Sequence, residues 1–473
     1  MDVPPRAWFS GAVAHVVRAD YLVVGAGATG MAFTDALIEH AGRATVALVD
    51  RRQGVGGHWL EAYPFVRLHQ ASAFYGVAST LLGGGRLQHR GPEAGLQERA
   101  TRAEICAYYE DILADRLLES GRVEFFPGCD VLDDGRTFVS RVSGERFTVS
   151  ERCRVVDAHY LAPGIPAELT PPFVVADDAR VVPVNELAHL DEPASQYVIV
   201  GSGKTATDAC VWLLGRGVDP GAICWVRPRD PWMLNRAVVQ PDPAIFLGMV
   251  ADTMQAAEAA SSLSDLFLRL EDAGVMLRID RTVEPTMART PTLATWELDL
   301  LRSIEDVQRH DHLAAVARGR LEFADGAVVR VADALVVHCA GEGLRMRPLI
   351  PVWTPEAITL QPIRSGFPCF GAALVGFVEA TRDDDPEKNR LCPPSPYPDS
   401  TAEWARMTVI GARSAASFAS EPDISAWADG VALNPARIPP ESPRTTELGD
   451  ALDRLQAHRS QGLARLAELA GIA

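Results

Sequence analysis

The chain has 473 residues, a formal charge of −17, 47% hydrophobic and 23% charged residues. That length suits two or three domains with full cores, and the acidic balance excludes nucleic acid or an anionic membrane as the main partner. No apolar run approaches the roughly 18 residues of a membrane span, and the eight cysteines show neither Cys-x-x-Cys nor metal-ligand spacing, which points to reduced thiols in a cytoplasmic protein.

The opening stretch MDVPPRAWFSGAVAHVVRAD lacks a basic start followed by a sustained apolar segment, so no secretory signal is expected. A strand is expected at Tyr21–Val24, running into Gly25-x-Gly27-x-x-Gly30 and a helix. Glycines at that spacing give a tight turn, a close backbone approach to a pyrophosphate and a helix N-terminus facing it. The next apolar run, ATVALVD, ends at Asp50, 25 residues after Gly25, where an acid hydrogen-bonds an adenosine ribose. Arg51 follows, then Gly56-Gly57-His58-Trp59 and, further on, His69, Gln70 and Ser72. Short strands with turn signals (DDGRTFVSRVSGERFTVS) and a return strand (CRVVDAHYLAPG) complete the first half, and residues 166–196, rich in Pro, Ala and Asp, read as a linker.

A second turn follows the strand YVIV as Gly201-Ser202-Gly203-Lys204-Thr205-Ala206. An ATPase phosphate loop would need a glycine five residues before Gly203, where Val198 stands, so the dinucleotide spacing is what remains. Twenty-six residues after Gly201, where the first half has its acid, this half has Arg227, with Arg229 and Arg236 close behind. A guanidinium binds a 2′-phosphate that a carboxylate would repel. The first half therefore suits FAD, or NAD, and the second NADPH, with Lys204 and Thr205 on the pyrophosphate. The alternative readings are a solvated turn for Arg227 and Arg229, a solvated helix-start lysine for Lys204, core packing for Trp59 and a structural histidine for His69. Residues 241–310 have helical spacing and read as an insertion covering a cleft. Strands and a return strand (RGRLEFADGAVVRVADALVVHCAG) follow, and the tail TELGDALDRLQAHRSQGLARLAELAG reads as an amphipathic helix packed on its own domain.

These residues resemble the class B flavoprotein monooxygenases, the superfamily of flavin-containing monooxygenases, N-hydroxylases and Baeyer–Villiger enzymes. The pieces that carry the resemblance are GAGATG, Asp50, Gly56-Gly57-His58-Trp59 and the second turn with WVRPRDPWMLNR. The resemblance implies an α/β fold of two Rossmann-like dinucleotide-binding domains, each with a β-meander, plus a helical insertion. An FAD-binding domain is expected at 15–165 and 338–473, and an NADPH-binding domain at 197–337. The implied activity is insertion of oxygen into a small organic substrate through a flavin hydroperoxide, heteroatom oxygenation favoured, with molecular oxygen as co-substrate. His58 and Trp59 would lie against the flavin, and His69, at the position of the Baeyer–Villiger acid, would be the acid–base candidate. The family's linker fingerprint F-x-G-x-x-x-H-x-x-x-[YF] is absent from FVVADDARVVPVNELAHL. An NADPH-dependent flavoprotein reductase and an NADPH-sensing regulator therefore stay open as alternatives.

Overall fold

The computed structural model describes residues 14–341, 347–364 and 366–472. Residues 1–13, on which the leader expectation rests, and Ala473, the last residue of the expected FAD domain, lie outside the described residues.

Two five-stranded parallel sheets dominate, and their strand orders match. The first runs Ala357–Thr359, Arg154–Asp157, Tyr21–Val24, Val46–Val49, Val123–Phe126; the second runs Val181–Pro183, Leu335–His338, Tyr197–Val200, Ile223–Val226, Val307–Gln308. Val46–Val49, Tyr197–Val200, Ile223–Val226 and Leu335–His338 are buried at every position. Such unbroken β-branched and apolar runs are what a sheet covered on both faces requires. The third strand of each order is followed directly by a glycine turn and a helix, Ala28–His40 in one case and Lys204–Gly215 in the other. Both turns thus sit at the carboxyl end of a central strand, where open α/β sheets bind their ligands.

Each unit also carries an antiparallel meander, Cys129–Val131, Thr137–Ser140 and Arg146–Val149 in the first and Leu313–Ala317, Arg320–Phe323 and Val328–Arg330 in the second. His15–Val17 extends the first meander beside its last strand, whereas Val174–Val175 extends the second beside its first. One buried cluster reaches through both units, from Phe33 and Phe74 to Ile199 and Trp225.

Three stretches differ from the sequence reading. The expected linker is partly woven into sheets, because Val174–Val175 and Val181–Pro183 pair with second-unit strands; two- and three-residue strands leave too short a pattern to see. The 241–310 stretch holds the helices Pro243–Ala259, Leu263–Asp272 and Thr295–Arg302, but also the strands Met276–Arg278 and Thr292–Leu293, which pair with Trp232–Asn235. The tail helix Thr446–Leu469 packs along Pro243–Ala259 of the insertion, where Arg454 pairs with Asp252 and His458 with Glu258.

Candidate functional site

At the first turn, Gly25 has φ +107°, in the left-handed region that favours glycine. A Cβ on Gly30 would stand 1.8 Å from the Gly25 carbonyl oxygen, and one on Gly57 would stand 2.9 Å from Gly27 Cα. The Gly56-Gly57 segment, 26 residues further along the chain than Gly30 at its first glycine, is therefore laid against the turn, and Gly56 N–H donates to Ala26 O at 2.9 Å. Asp50 is buried at the end of its strand and accepts from the N–H of Ala26 at 2.7 Å and of Arg52 at 2.8 Å. Arg51 turns outward to Glu168. Trp59 donates its indole N–H to the Tyr75 hydroxyl at 2.6 Å, and the His58 ring lies 5.2 Å from the Trp59 ring. Ser72 is tied to the Glu98 carbonyl and the Ala100 N–H, a structural bond, while Gln70, among the described residues, forms no side-chain hydrogen bond.

The second turn repeats the pattern with Gly201 at φ +142°. Ser202 and Gly203 line it, and the helix starts at Lys204. Each cation assigned to a phosphate has a carboxylate partner within the protein. Lys204 is buried against Asp208, one helical turn on. Arg227 is 1% exposed, stacks 4.4 Å over the Trp225 ring and pairs with Asp230 at 2.8 Å, while its Nε and Nη1 have no acceptor among the described residues. Trp225 in turn donates to Gly201 O at 2.8 Å, so the stack props the turn. Arg229 pairs with Asp399 at 2.6 Å, and Arg236 is enclosed between Glu93 and Glu297. Lys204 and Arg227 are thus both buried and each already charge-compensated by a carboxylate three or four residues on, because burial makes an unpaired cation costly.

The two units meet at Tyr63. Its hydroxyl donates to Asp208 at 2.7 Å and neighbours Thr205. Burial, with the adjacent Asp208 charge, pushes the Tyr63 phenol well above its usual value. Burial works against ionising Asp208, but the Lys204 ammonium outweighs it and holds the carboxyl below its usual range. His69 reaches the same cluster. Its backbone carbonyl accepts from Arg236 at 2.9 Å and from the Thr292 hydroxyl, and burial, then Lys204, pushes its imidazole down to about 3. His58 is pushed down to about 4 by burial and then by Arg52. Both rings are neutral at pH 7, so His69 can exchange hydrogen bonds there but does not carry a transferable proton as imidazolium. Tyr63 and Asp208 escaped the sequence reading, although the Lys204/Asp208 spacing of four on a helix was a signal for the pair.

The two histidines predict a pH dependence of stability. Their folded values lie below the unfolded value of about 6.5, so the stability is fully present above that value and is lost as pH falls toward 4 and then 3. Each contributes at most about 1.4 kcal/mol per pH unit in that window. Urea unfolding at pH 7 and pH 5 is expected to show the loss, and His69→Gln to flatten it; an unchanged slope in the variant counts against the buried neutral ring.

Among the described residues no helix is long and apolar enough to cross a membrane, and no cluster of His, Cys, Asp and Glu could hold a metal ion. Residues 23–75 match the family described as NAD(P)-binding Rossmann-like domain, which places the glycine turn, Asp50 and the Gly56–Trp59 segment in one recognised unit. Uncharacterized protein Rv2000 of Mycobacterium tuberculosis (strain ATCC 25618 / H37Rv) is 41% identical over 424 residues, covering 89% of this chain and 78% of its own. The chain belongs to the family of that mycobacterial protein. Uncharacterized protein Mb2023 of Mycobacterium bovis (strain ATCC BAA-935 / AF2122/97) matches with the same identity and coverage. Among solved structures, cyclohexanone monooxygenase from Rhodococcus sp. Phi1 bound to NADP+ is similar at 14% identity and a TM-score of 0.45, covering 95% of this chain and 98% of its own.

Proposed function

We propose that this chain is an FAD- and NADPH-dependent oxidoreductase, a monooxygenase that inserts oxygen into a small organic molecule, with heteroatom oxygenation favoured. The observation that carries the reading is the duplicated unit, with a glycine turn at the end of the matching central strand in each copy and the copies bonded through Tyr63 and Asp208. The first turn fits FAD. Gly27 and Gly57 face each other with no side chain between, Asp50 stands at the strand end for the ribose, and His58 and Trp59 stand next to Gly57. The second fits a nicotinamide dinucleotide at Gly201, Ser202, Gly203 and Thr205. Of the two arginines proposed for a 2′-phosphate, Arg229 is the more accessible, at 36% side-chain exposure against 1% for Arg227. When bound, the flavin supplies the two-electron acceptor for NADPH and the reductant for oxygen. The chain's own part is to hold both dinucleotides, to keep His58 and His69 neutral beside them and to limit water with the 241–310 helices. A cytoplasmic setting fits the eight free cysteines.

The test reduces the purified flavin-loaded protein with NADPH, mixes it with oxygen and a panel of amines and sulfides, and measures NADPH, peroxide and product. Oxygenated product in proportion to NADPH supports the proposal. Release of all reducing equivalents as peroxide, whatever the substrate, replaces it with a flavoprotein reductase. A protein that binds NADPH yet retains no flavin after reconstitution replaces it with a nucleotide sensor.

A further inference from the structure

A cavity of about 330 Å³ lies between the units, walled by the 65–99 segment of the first and by the helices Lys204–Gly215 and Thr295–Arg302 of the second. It is within the size range of small-molecule sites. One wall is flat and aromatic. Phe65 stacks on Trp212 at 4.9 Å between ring centroids and 23° between planes, the Arg216 guanidinium lies over the Trp212 ring at 5.2 Å, Tyr63 packs on Phe65 at 4.8 Å, and Trp296 also lines the space.

Its charges decide the ligand. Three carboxylates line the cavity, Glu93, Asp208 and Glu297, and each is met from within the protein. Glu93 is held by Arg99 at 2.5 Å and by Arg236 at 2.7 Å, Glu297 by Arg236 at 2.6 Å, and Asp208 by Lys204 and the Tyr63 hydroxyl. Burial works against ionising Glu93, yet the Arg99 guanidinium brings its carboxyl down to about 2. The remaining lining cation, Arg67, is exposed, forms no ion pair among the described residues although its charge helps hold the Glu104 carboxyl down, and gives one N–H to the Arg99 carbonyl at 3.1 Å. With Arg99 satisfied by Glu93 and by the Leu68 carbonyl, the lining cation left for a ligand is Arg67, beside an aromatic wall whose Trp212 also carries the Arg216 guanidinium.

We propose that this cavity binds a planar aromatic carboxylate, its ring on the Phe65–Trp212 wall and its carboxylate on Arg67. An organic cation would find every lining carboxylate already paired. Calling this ligand a substrate rests on the redox reading above; its binding does not.

Calorimetric titration of the purified protein with benzoate, benzamide and benzylamine tests the binding directly. Benzoate should bind about tenfold more tightly than benzamide, and benzylamine more weakly still. Arg67→Gln, which keeps a donor for the Arg99 carbonyl, should remove the benzoate preference and leave benzamide within about twofold. Trp212→Leu should weaken both ligands alike. Equal affinity for benzoate and benzamide in the parent protein, or a preference that survives Arg67→Gln, overturns the proposal. So does competitive exclusion of benzoate by NADP+, since the cavity would then belong to the nucleotide. Because the readout is binding without turnover, a missing oxygenase activity leaves this result standing, and failed benzoate binding leaves the redox reading untouched.

Discussion

Gly30→Ala is expected to abolish flavin retention and to destabilise the first unit by about 3 kcal/mol or more. Helix propensity alone favours alanine by about 1 kcal/mol, since Gly30 lies inside the helix Ala28–His40. Against that, the added Cβ would stand 1.8 Å from Gly25 O, 3.0 Å from Gly25 C and 3.2 Å from Ala158 Cβ. The first two are backbone atoms of the turn itself, so no side-chain rotation relieves them, and overpacking of this kind costs about 1–3 kcal/mol even where the surroundings yield. The clash wins, and relief must come from opening the turn. Gly42→Ala is the control, because nothing lies within 4 Å of its Cβ position. Urea midpoints and bound flavin per chain decide the matter; a Gly30→Ala protein as stable and as yellow as its parent would sink the assignment.

Arg236→Met is expected to be at least as damaging, and for an electrostatic reason. Arg236 is 1% exposed and reaches Glu93 at 2.7 Å, Glu297 at 2.6 Å and the His69 carbonyl at 2.9 Å. Removing one partner of a buried pair costs about 3–5 kcal/mol, chiefly because charge is left uncompensated. Glu93 keeps Arg99, whereas among the described residues Glu297 keeps only the Ala294 N–H at 2.8 Å. The excess cost therefore falls on Glu297. The double variant Arg236→Met/Glu297→Gln should recover part of the loss, with a coupling energy of about 1–3 kcal/mol. Strict additivity would show that the pair does not act as a unit. Arg236 and Glu297 both belong to the second unit, and the bonds that cross to the first are those from Arg236 to Glu93 and to the His69 carbonyl.

Much of the frame was legible because periodicity and spacing are local. Four-residue apolar strands leading into Gly25-x-Gly27 and Gly201-x-Gly203 announce their turns without tertiary knowledge, and the halves could be compared by counting residues. Chemistry that depends on what packs opposite was not legible. Arg227 aligns with Asp50 in sequence, but Asp230 and the Trp225 ring decide where its guanidinium lies. Arg236 reads as a third cation in a basic turn, and only the approach of Glu93 from the other unit turns it into an internal clasp. His69 reads as a group titrating near neutrality until burial and Lys204 set its charge. The strand Val174–Val175 was missed because its reason for being a strand lies in Leu313–Ala317, far along the chain.

The nesting of one unit inside the other also sets an order of assembly. Every strand of the second parallel sheet lies between Val181 and His338, so that sheet is complete once this contiguous stretch has been made. The first sheet needs Ile358 beside Val156, a pairing that closes a loop containing the whole second unit. On a ribosome, the half that begins first is therefore finished last, and its edge at Arg154–Asp157 stays open while the other half is synthesised. An unpaired edge of that kind is a site for wrong pairing with another chain. The outer unit, which holds the proposed flavin turn, is thus the part of this protein that carries an open central edge longest during synthesis.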